Sequence, residues 1–416
     1  MKVLSFYQNV VIATETVGAG SIDPAYMNVK ARDRIVVNDD TANQILTGRT
    51  SCGDWRCPKC LIINHGSLIT CKSCSEPLPP TPAVPTDEIS DFMPFYLDVA
   101  KARRPAKFRD KRVLFYRNRG IGDQLIASCL SRFFSVVLKA KCFQLADRNH
   151  ELLWYGNPYI GGTPVRFPLN VDRLVRRDRD YDWFIPMESV SEYDNSREQG
   201  NVYDRMFALA GFDPEEIPSE YKRPYWAMTQ KDLEESREFC SAPYVAFQIK
   251  ATNPGRTLPL PVVDIVLSRL NEIGLPILCM DSVPFKPDVK KVVDSYKNAK
   301  DVAGRFTTDR QYGTVCSMAN LVVGPDSSAI HFAACFDVPC ISLFGPFDPR
   351  SRVRDYNNHI SIWNRDGCPS APCFNFAEEL PYHKCPDGQE QKHCAVFEGV
   401  TGDHVDHAVA KLGIME

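Results

Sequence analysis

Gly120-Ile121-Gly122-Asp123 follows the apolar run Val113-Leu114-Phe115-Tyr116 and leads into an amphipathic segment. Further along, Gly324-Pro325-Asp326-Ser327-Ser328-Ala329-Ile330-His331 repeats the arrangement after Leu321-Val322-Val323. Each reads as a strand turning tightly into a helix, with glycines keeping the backbone thin at the turn. The first turn carries a carboxylate, the second small polar groups. Outward from the first, Arg112–Tyr116 reads as a buried strand, followed by a helix from about 124 to 139 and strands at Lys141–Leu145 and Tyr181–Ile185. A second set begins at Tyr244–Ile249. It continues through a helix near 260–273 and strands at Pro276–Met280, Ala319–Val323 and Cys340–Phe344, and a last helix is expected near 400–412. Strands alternating with helices argue for parallel sheets. Two such sets, separated by the polar stretch 190–240, predict an α/β protein with two Rossmann-like domains. Ligands in such sheets bind beyond the carboxyl ends of the strands, where both turns lie.

The chain has 416 residues, enough for two or three domains, with 44% hydrophobic and 24% charged residues. That balance is ordinary for a globular protein. No apolar run approaches the roughly 18–20 residues a bilayer span needs, and Met1–Gln8 is too short and polar for a signal peptide. The expected compartment is therefore the cytoplasm. A net charge of −3 gives no global argument for a polyanionic partner. Locally, Lys101, Arg103, Arg104, Lys107, Arg109, Lys111, Arg112, Arg117 and Arg119 stand against one acid, Asp110. Segment 101–119 is thus either a phosphate-attracting patch or a solvated surface.

Five of the sixteen cysteines lie between 52 and 74, and four between 368 and 394. In a chain without an export signal, such clustering favours metal over disulfides. Cys57-Pro58-Lys59-Cys60 and Cys71-Lys72-Ser73-Cys74 can supply four thiolates to a tetrahedral structural zinc, with Cys52 outside the spacing. Cysteines in apolar settings, such as Cys279, read as small buried hydrophobes. The expected domain order is a small β-rich module at 1–50, a zinc finger at 51–76 and a Pro-rich linker at 77–88. A first Rossmann-like domain at 89–240 follows, then a second at 241–416 with a Cys-rich insertion at 364–396. In the first module, Val3–Phe6, Val10–Ala13 and Arg34–Val37 read as strands, and Thr41–Gly48 as one short helix.

Trp55, Cys57, Cys60, Asn64, Cys71 and Cys74 together resemble a RanBP2-type zinc finger, whose members bind single-stranded RNA or ubiquitin. Leu61-Ile62 stands where the ubiquitin-binding form has Thr-Phe. Only Arg56, Lys59 and Lys72 supply charge, so the fold carries over and the ligand does not.

Residues 112–350 resemble the family 9 glycosyltransferases, the ADP-heptose:lipopolysaccharide heptosyltransferase group. The matching segments are Val113–Asp123, Asp301–Gly304 with Gly324–Ala334, and Pro339–Pro346. Ser328 replaces the family's usual glycine. The resemblance implies a GT-B fold and an inverting, metal-independent enzyme that uses a nucleotide-diphosphate sugar. It assigns Asp123 as the base that takes the acceptor's proton. Gly120 and Gly122 would admit the donor. Lys250 is the best cation for the leaving diphosphate, assisted by Thr252, Asn253 and Arg256. Ser327 and Ser328 would open a helix whose N–H groups face phosphate. Asp326 and His331 would touch ribose or order the loop. Cys368, Cys373, Cys385 and Cys394 match the family's Cys-rich stretch loosely and form a candidate second metal site. The finger and segment 101–119 raise a nucleic-acid acceptor, by analogy with viral transferases that glycosylate modified bases. The alternatives are a lipopolysaccharide or saccharide acceptor, and a non-catalytic nucleic-acid or protein-binding module on a transferase scaffold. Asp123, Lys250 and Asp326 speak against the last.

Overall fold

The computed structural model describes residues 108–117, 120–145, 150–162, 181–187, 200–240, 243–373 and 393–414, together with the backbone of six short strands between Lys2 and Asn64. The chain divides into two compact units, Met1–Val99 and Ala100–Glu416.

In the first unit, β1 (Lys2–Ser5) pairs antiparallel with β4 (Arg34–Val37), and β2 (Val10–Thr14) with β3 (Ala25–Val29). β3 was not expected. Its sequence, Ala-Tyr-Met-Asn-Val, has weak alternation. β5 (Trp55–Arg56) pairs with β6 (Ile63–Asn64), and this hairpin brackets the Cys57–Cys60 knuckle in sequence. Cys52, Cys57, Cys60, Cys71, Cys74, the expected helix at 41–48 and the linker at 77–88 lie outside the described residues.

Among the described residues the second unit holds two parallel sheets. In the smaller, β7 (Arg112–Tyr116) lies between β8 (Lys141–Leu145) and β9 (Trp183–Pro186). The larger comprises β10 (Val245–Gln248), β11 (Ile277–Met280), β12 (Ala299–Asp301), β13 (Leu321–Pro325), β14 (Cys340–Leu343) and β15 (His359–Ile362). Its strand order is β12-β11-β10-β13-β14-β15, parallel throughout. Numbered from the first strand this is 3-2-1-4-5-6, the doubly wound order. Its topological switch point lies between β10 and β13, where the connections part to opposite sides and leave a crevice.

The helices are α1 (Ile121–Val136), α2 (Val202–Leu209), α3 (Gln230–Glu235), α4 (Leu260–Ile273), α5 (Pro287–Asp294), α6 (Asp309–Ser317), α7 (Ser328–Cys335) and α8 (Gly402–Lys411). α4 shows how sequence sets them. Val262, Val263, Val266, Leu267 and Leu270 recur at helical spacing and are buried. Each such side chain contributes about 1.5–3 kcal/mol on burial. Gly274 ends the helix in the left-handed conformation at φ 80°.

α1 corrects the expectation of a helix beginning at 124. Gly120 is its N-cap, and the Gln124 amide already bonds the Gly120 carbonyl at 3.1 Å. Gly122 and Asp123 therefore sit inside the first helical turn. α1 packs on α7, and one apolar core runs from β7 and α1 through Trp226 to Tyr312, Phe332 and Tyr356. Buried Arg310 of α6 reinforces this join. It bonds Asp232 and the carbonyls of Leu153, Tyr155 and Ala227. A second core lies on the other face of the large sheet, beneath α4 and α8. Among the described residues no helix is long and apolar enough to cross a membrane.

Candidate active site

A cleft of about 460 Å³ opens between the α1 turn and the carboxyl ends of the large sheet. It gathers Gly120, Gly122 and Asp123 from one half, and Lys250, Thr252, Arg256, Ser327, Ser328 and His331 from the other. Asp326, the remaining expected residue, lies just beneath and is 1% exposed.

Asp123 does not cap its helix, since Gly120 holds that position. Its carboxylate is 20% exposed and accepts from Arg117 Nη2 at 2.5 Å. Arg117 is itself buried. Its Nη1 donates to the Met187 carbonyl at 2.9 Å, and Gln124 Nε2 donates to the Arg117 carbonyl. Strand β7, helix α1 and the end of β9 thus fix one carboxylate at the mouth of the cleft. Gly122 is required by close approach. A Cβ there would come 2.8 Å from His331 Cδ2.

In sequence Arg117 belongs to the basic segment 101–119. It is committed to Asp123 instead, because it leaves the end of a buried strand beside a carboxylate one helical turn on. Lys111 pairs with Asp182, and the Arg112 guanidinium lies over the Phe143 and Tyr181 rings. Lys101, Arg103, Arg104, Lys107 and Arg119 lie outside the described residues.

Across the cleft, Gln248 ties the switch point together. Its Nε2 donates to the Lys250 carbonyl at 2.8 Å and to Ser327 Oγ at 2.9 Å, while its Oε1 accepts from the Ala329 amide at 3.2 Å. One amide N–H at the start of α7 is therefore already engaged within the protein. Asn253 accepts from the Gly255 amide and caps the short turn that presents Arg256. Arg256 Nη1 donates to the Asp326 carbonyl at 2.8 Å and lies 3.4 Å from its Oδ2. Arg352 Nη1 lies 3.5 Å from Asp326 Oδ1 and stacks over Phe347. Asp326 thus joins two arginines and orders the loop from below.

Lys250 lies over the Phe285 ring at 5.4 Å. Asp281, just past β11, is buried, and burial raises its carboxyl above the usual range against the opposing charge of Lys250. Its Oδ2 has no hydrogen-bond partner among the described residues. Asp281, Arg352, Gln248 and Arg117 were not singled out as site residues. Strand-end position could have flagged Asp281 and Gln248. Nothing local marks Arg352, which reaches the site from a loop beyond β14.

His331 is 1% exposed, and burial lowers its pKa to about 4, with Asp326 opposing. Its Nδ1 bonds Tyr356 Oη at 2.7 Å. Cys368 and Cys373 are buried. Cys368 packs with Ala371 and Val396, and Cys394 lies against them. No cluster of three metal-ligating side chains occurs among the described residues, and Cys385 lies outside them.

Residues 181–383 match the family model Glycosyltransferase family 9 (heptosyltransferase). No curated sequence matches the chain significantly. Among solved structures, a family 9 glycosyltransferase from Veillonella parvula is similar at 14% identity and TM-score 0.56, covering 75% of this chain and all of that one. E. coli ADP-heptose lps heptosyltransferase II gives 15% identity and TM-score 0.54, over 72% of this chain and 98% of its own. The iron-containing dodecameric glycosyltransferase TibC from enterotoxigenic E. coli gives 17% and 0.53, over 74% and 77%. At these identities the structures establish a shared α/β fold of parallel sheets. The family match over 181–383, just under half of the chain, supports a glycosyltransferase.

Proposed function

We propose that the chain is an inverting transferase that moves a sugar from a nucleoside-diphosphate donor to an acceptor hydroxyl. The supporting observation is the cleft itself, where one arginine-paired carboxylate, Asp123, faces a cationic wall at the switch point of a doubly wound sheet. Asp123 takes the proton of the acceptor hydroxyl as its oxygen attacks the anomeric carbon. The bond from that carbon to the diphosphate breaks, and the electron pair leaves with the diphosphate. Lys250 and Arg256 stabilise the charge that develops. Arg352 adds to the field on the same wall, where Asp326 and Asp281 are the opposing carboxyls beside these cations. Thr252, Ser327 and Ser328 line the phosphate side, and Gly120 and Gly122 admit the donor.

In this reading 89–240 is the acceptor domain and 241–416 the nucleotide-sugar domain. Cys57, Cys60, Cys71 and Cys74 hold a structural zinc. The β5–β6 hairpin around the first knuckle fits that role, since it would bring the ends of the knuckle together. For the acceptor, a saccharide hydroxyl is better supported than nucleic acid. Arg117 is spent on Asp123 and Lys111 pairs with Asp182, which offsets part of the charge the nucleic-acid reading rests on.

The deciding experiment offers ADP-heptose and the UDP-, GDP- and CMP-sugars with either saccharide or oligonucleotide acceptors, reading donor binding by thermal shift and transfer by product mass. Stabilisation by one nucleotide-sugar and a hexose or heptose mass added to the saccharide are expected. No stabilisation by any of them would defeat the donor reading, and mass added to the oligonucleotide would reverse the acceptor assignment.

A further inference from the structure

Behind His331 a buried chain of hydroxyls crosses from one half to the other. Tyr203 Oη of α2 bonds Tyr356 Oη at 2.6 Å, and Tyr356 Oη bonds His331 Nδ1 at 2.7 Å. Tyr203 is fully buried and Tyr356 nearly so. Hydrogen bonds beside the chain join the segments that carry the two tyrosines. Asn201 Nδ2 donates to the Arg350 carbonyl at 3.0 Å, and Arg354 makes two bonds to Asp204.

We propose that Tyr203 and Tyr356 are positioning residues that hold His331 as its Nε2–H tautomer and present that N–H to the cleft as a constant donor to an oxyanion of the sugar diphosphate. This rests on the donor reading above.

The direction of the chain follows from counting protons. Each phenol has one. Among the described residues Tyr203 Oη has Tyr356 as its sole hydrogen-bond partner. If Tyr356 donated to Tyr203, the Tyr203 proton would be left in an apolar core without an acceptor, which costs a hydrogen bond. Tyr203 therefore donates to Tyr356, and the Tyr356 proton goes to Nδ1. Burial keeps both phenols protonated. It also keeps the imidazole neutral near pH 7, so the ring has one N–H, and a partner that donates to Nδ1 places it on Nε2. That edge of the ring rests on Gly122, where a Cβ would lie 3.3 Å from Nε2. An imidazolium is further disfavoured by Arg256 and Arg352 nearby.

The test is nitrogen NMR on the full-length protein labelled with 15N-histidine. A His331→Gln variant identifies its signals among those of the eight histidines. The expected wild-type spectrum at pH 7 shows His331 protonated at Nε2 and bare at Nδ1. A wild-type Nδ1–H tautomer, or an imidazolium, would overturn the proposal without any variant. Tyr356→Phe should admit the Nδ1–H tautomer and weaken binding of the parent nucleoside diphosphate roughly three- to tenfold. Tyr203→Phe, which leaves Tyr356 able to donate, should have the smaller effect on both. An unchanged tautomer in a folded Tyr356→Phe protein would also refute it. Should ADP, UDP and GDP all fail to bind the wild type, the donor reading falls and the oxyanion half of the proposal with it. The spectrum still decides whether the tyrosines set the tautomer.

Discussion

Asp123 and Asp326 both follow the carboxyl end of a central parallel strand, and the two halves of the molecule use them differently. Asp123 sits in the first turn of α1, partly exposed, with Arg117 against one oxygen. Asp326 stands before α7, 1% exposed, between Arg256 and Arg352. One motif thus yields a carboxylate that faces the cleft and another that holds up its wall. What separates them is how many cations surround each and how much water reaches it, which sequence spacing alone does not specify.

The contrast breaks most directly at Asp123. Asp123→Asn should cut turnover by about 10²–10⁴ while donor affinity stays near wild type, since the amide cannot take the acceptor's proton. Near-normal turnover would mean that both aspartates are structural. Asp326→Ala should do the reverse. It leaves buried Arg352 and part-buried Arg256 without their shared carboxylate, and breaking a buried pair costs about 3–5 kcal/mol of stability. Denaturant unfolding measures this, and a midpoint equal to wild type would show that the wall does not depend on Asp326.

Lys250→Ala sharpens the comparison on the ligand side. A charge-assisted bond to phosphate contributes roughly 1.5–3 kcal/mol, about ten- to a hundredfold in donor Kd, with little change in unfolding. An unaltered donor titration would move the phosphate contact to Arg256 or the Ser327-Ser328 turn. The smallest effect concerns acid. Burial holds the His331 imidazole neutral, with a pKa of about 4, and desolvation lowers that of part-buried His359 to about 3. Unfolded histidines take up protons below about pH 6.5. The stability these two contribute is therefore complete above that pH and lost as pH falls toward 4. Each accounts for about 1.4 kcal/mol per pH unit within the window. Urea midpoints at pH 7 and pH 5 should differ accordingly, and His359→Gln should flatten the slope. An equal slope in that variant would place the acid sensitivity elsewhere.

Much of the second unit was legible. The buried runs at 112–116, 141–145, 276–280 and 340–344 became strands within a residue or two, and the helix at 260–273 matched α4 because its valines and leucines recur at helical spacing. β12 and β15 were missed. Ala299-Lys300-Asp301 and His359-Ile360-Ser361-Ile362 are edge strands, half open to solvent, and carry no continuous apolar signal. Nine of the ten expected catalytic and donor-binding residues line the cleft, because strand-to-helix turns can be read as turns. Arg117 was misread because a basic cluster looks solvated until a neighbouring carboxylate is placed beside it. Arg352, Tyr203 and Tyr356 carry no local mark, since their meaning lies in contacts made across the chain.

The core that joins α1 to α7, bolted by Arg310, also bears on cooperativity. Two Rossmann-like halves with separate cores would melt as two transitions and could be exchanged as modules. Here a cut between 240 and 241 would strand Arg310 without Asp232 and open the apolar seam around Trp226 and Phe332. Calorimetry should therefore record the halves melting as one, and a chimera grafting only the donor half onto another acceptor half would have to bring Asp232, Trp226 and Tyr203 with it.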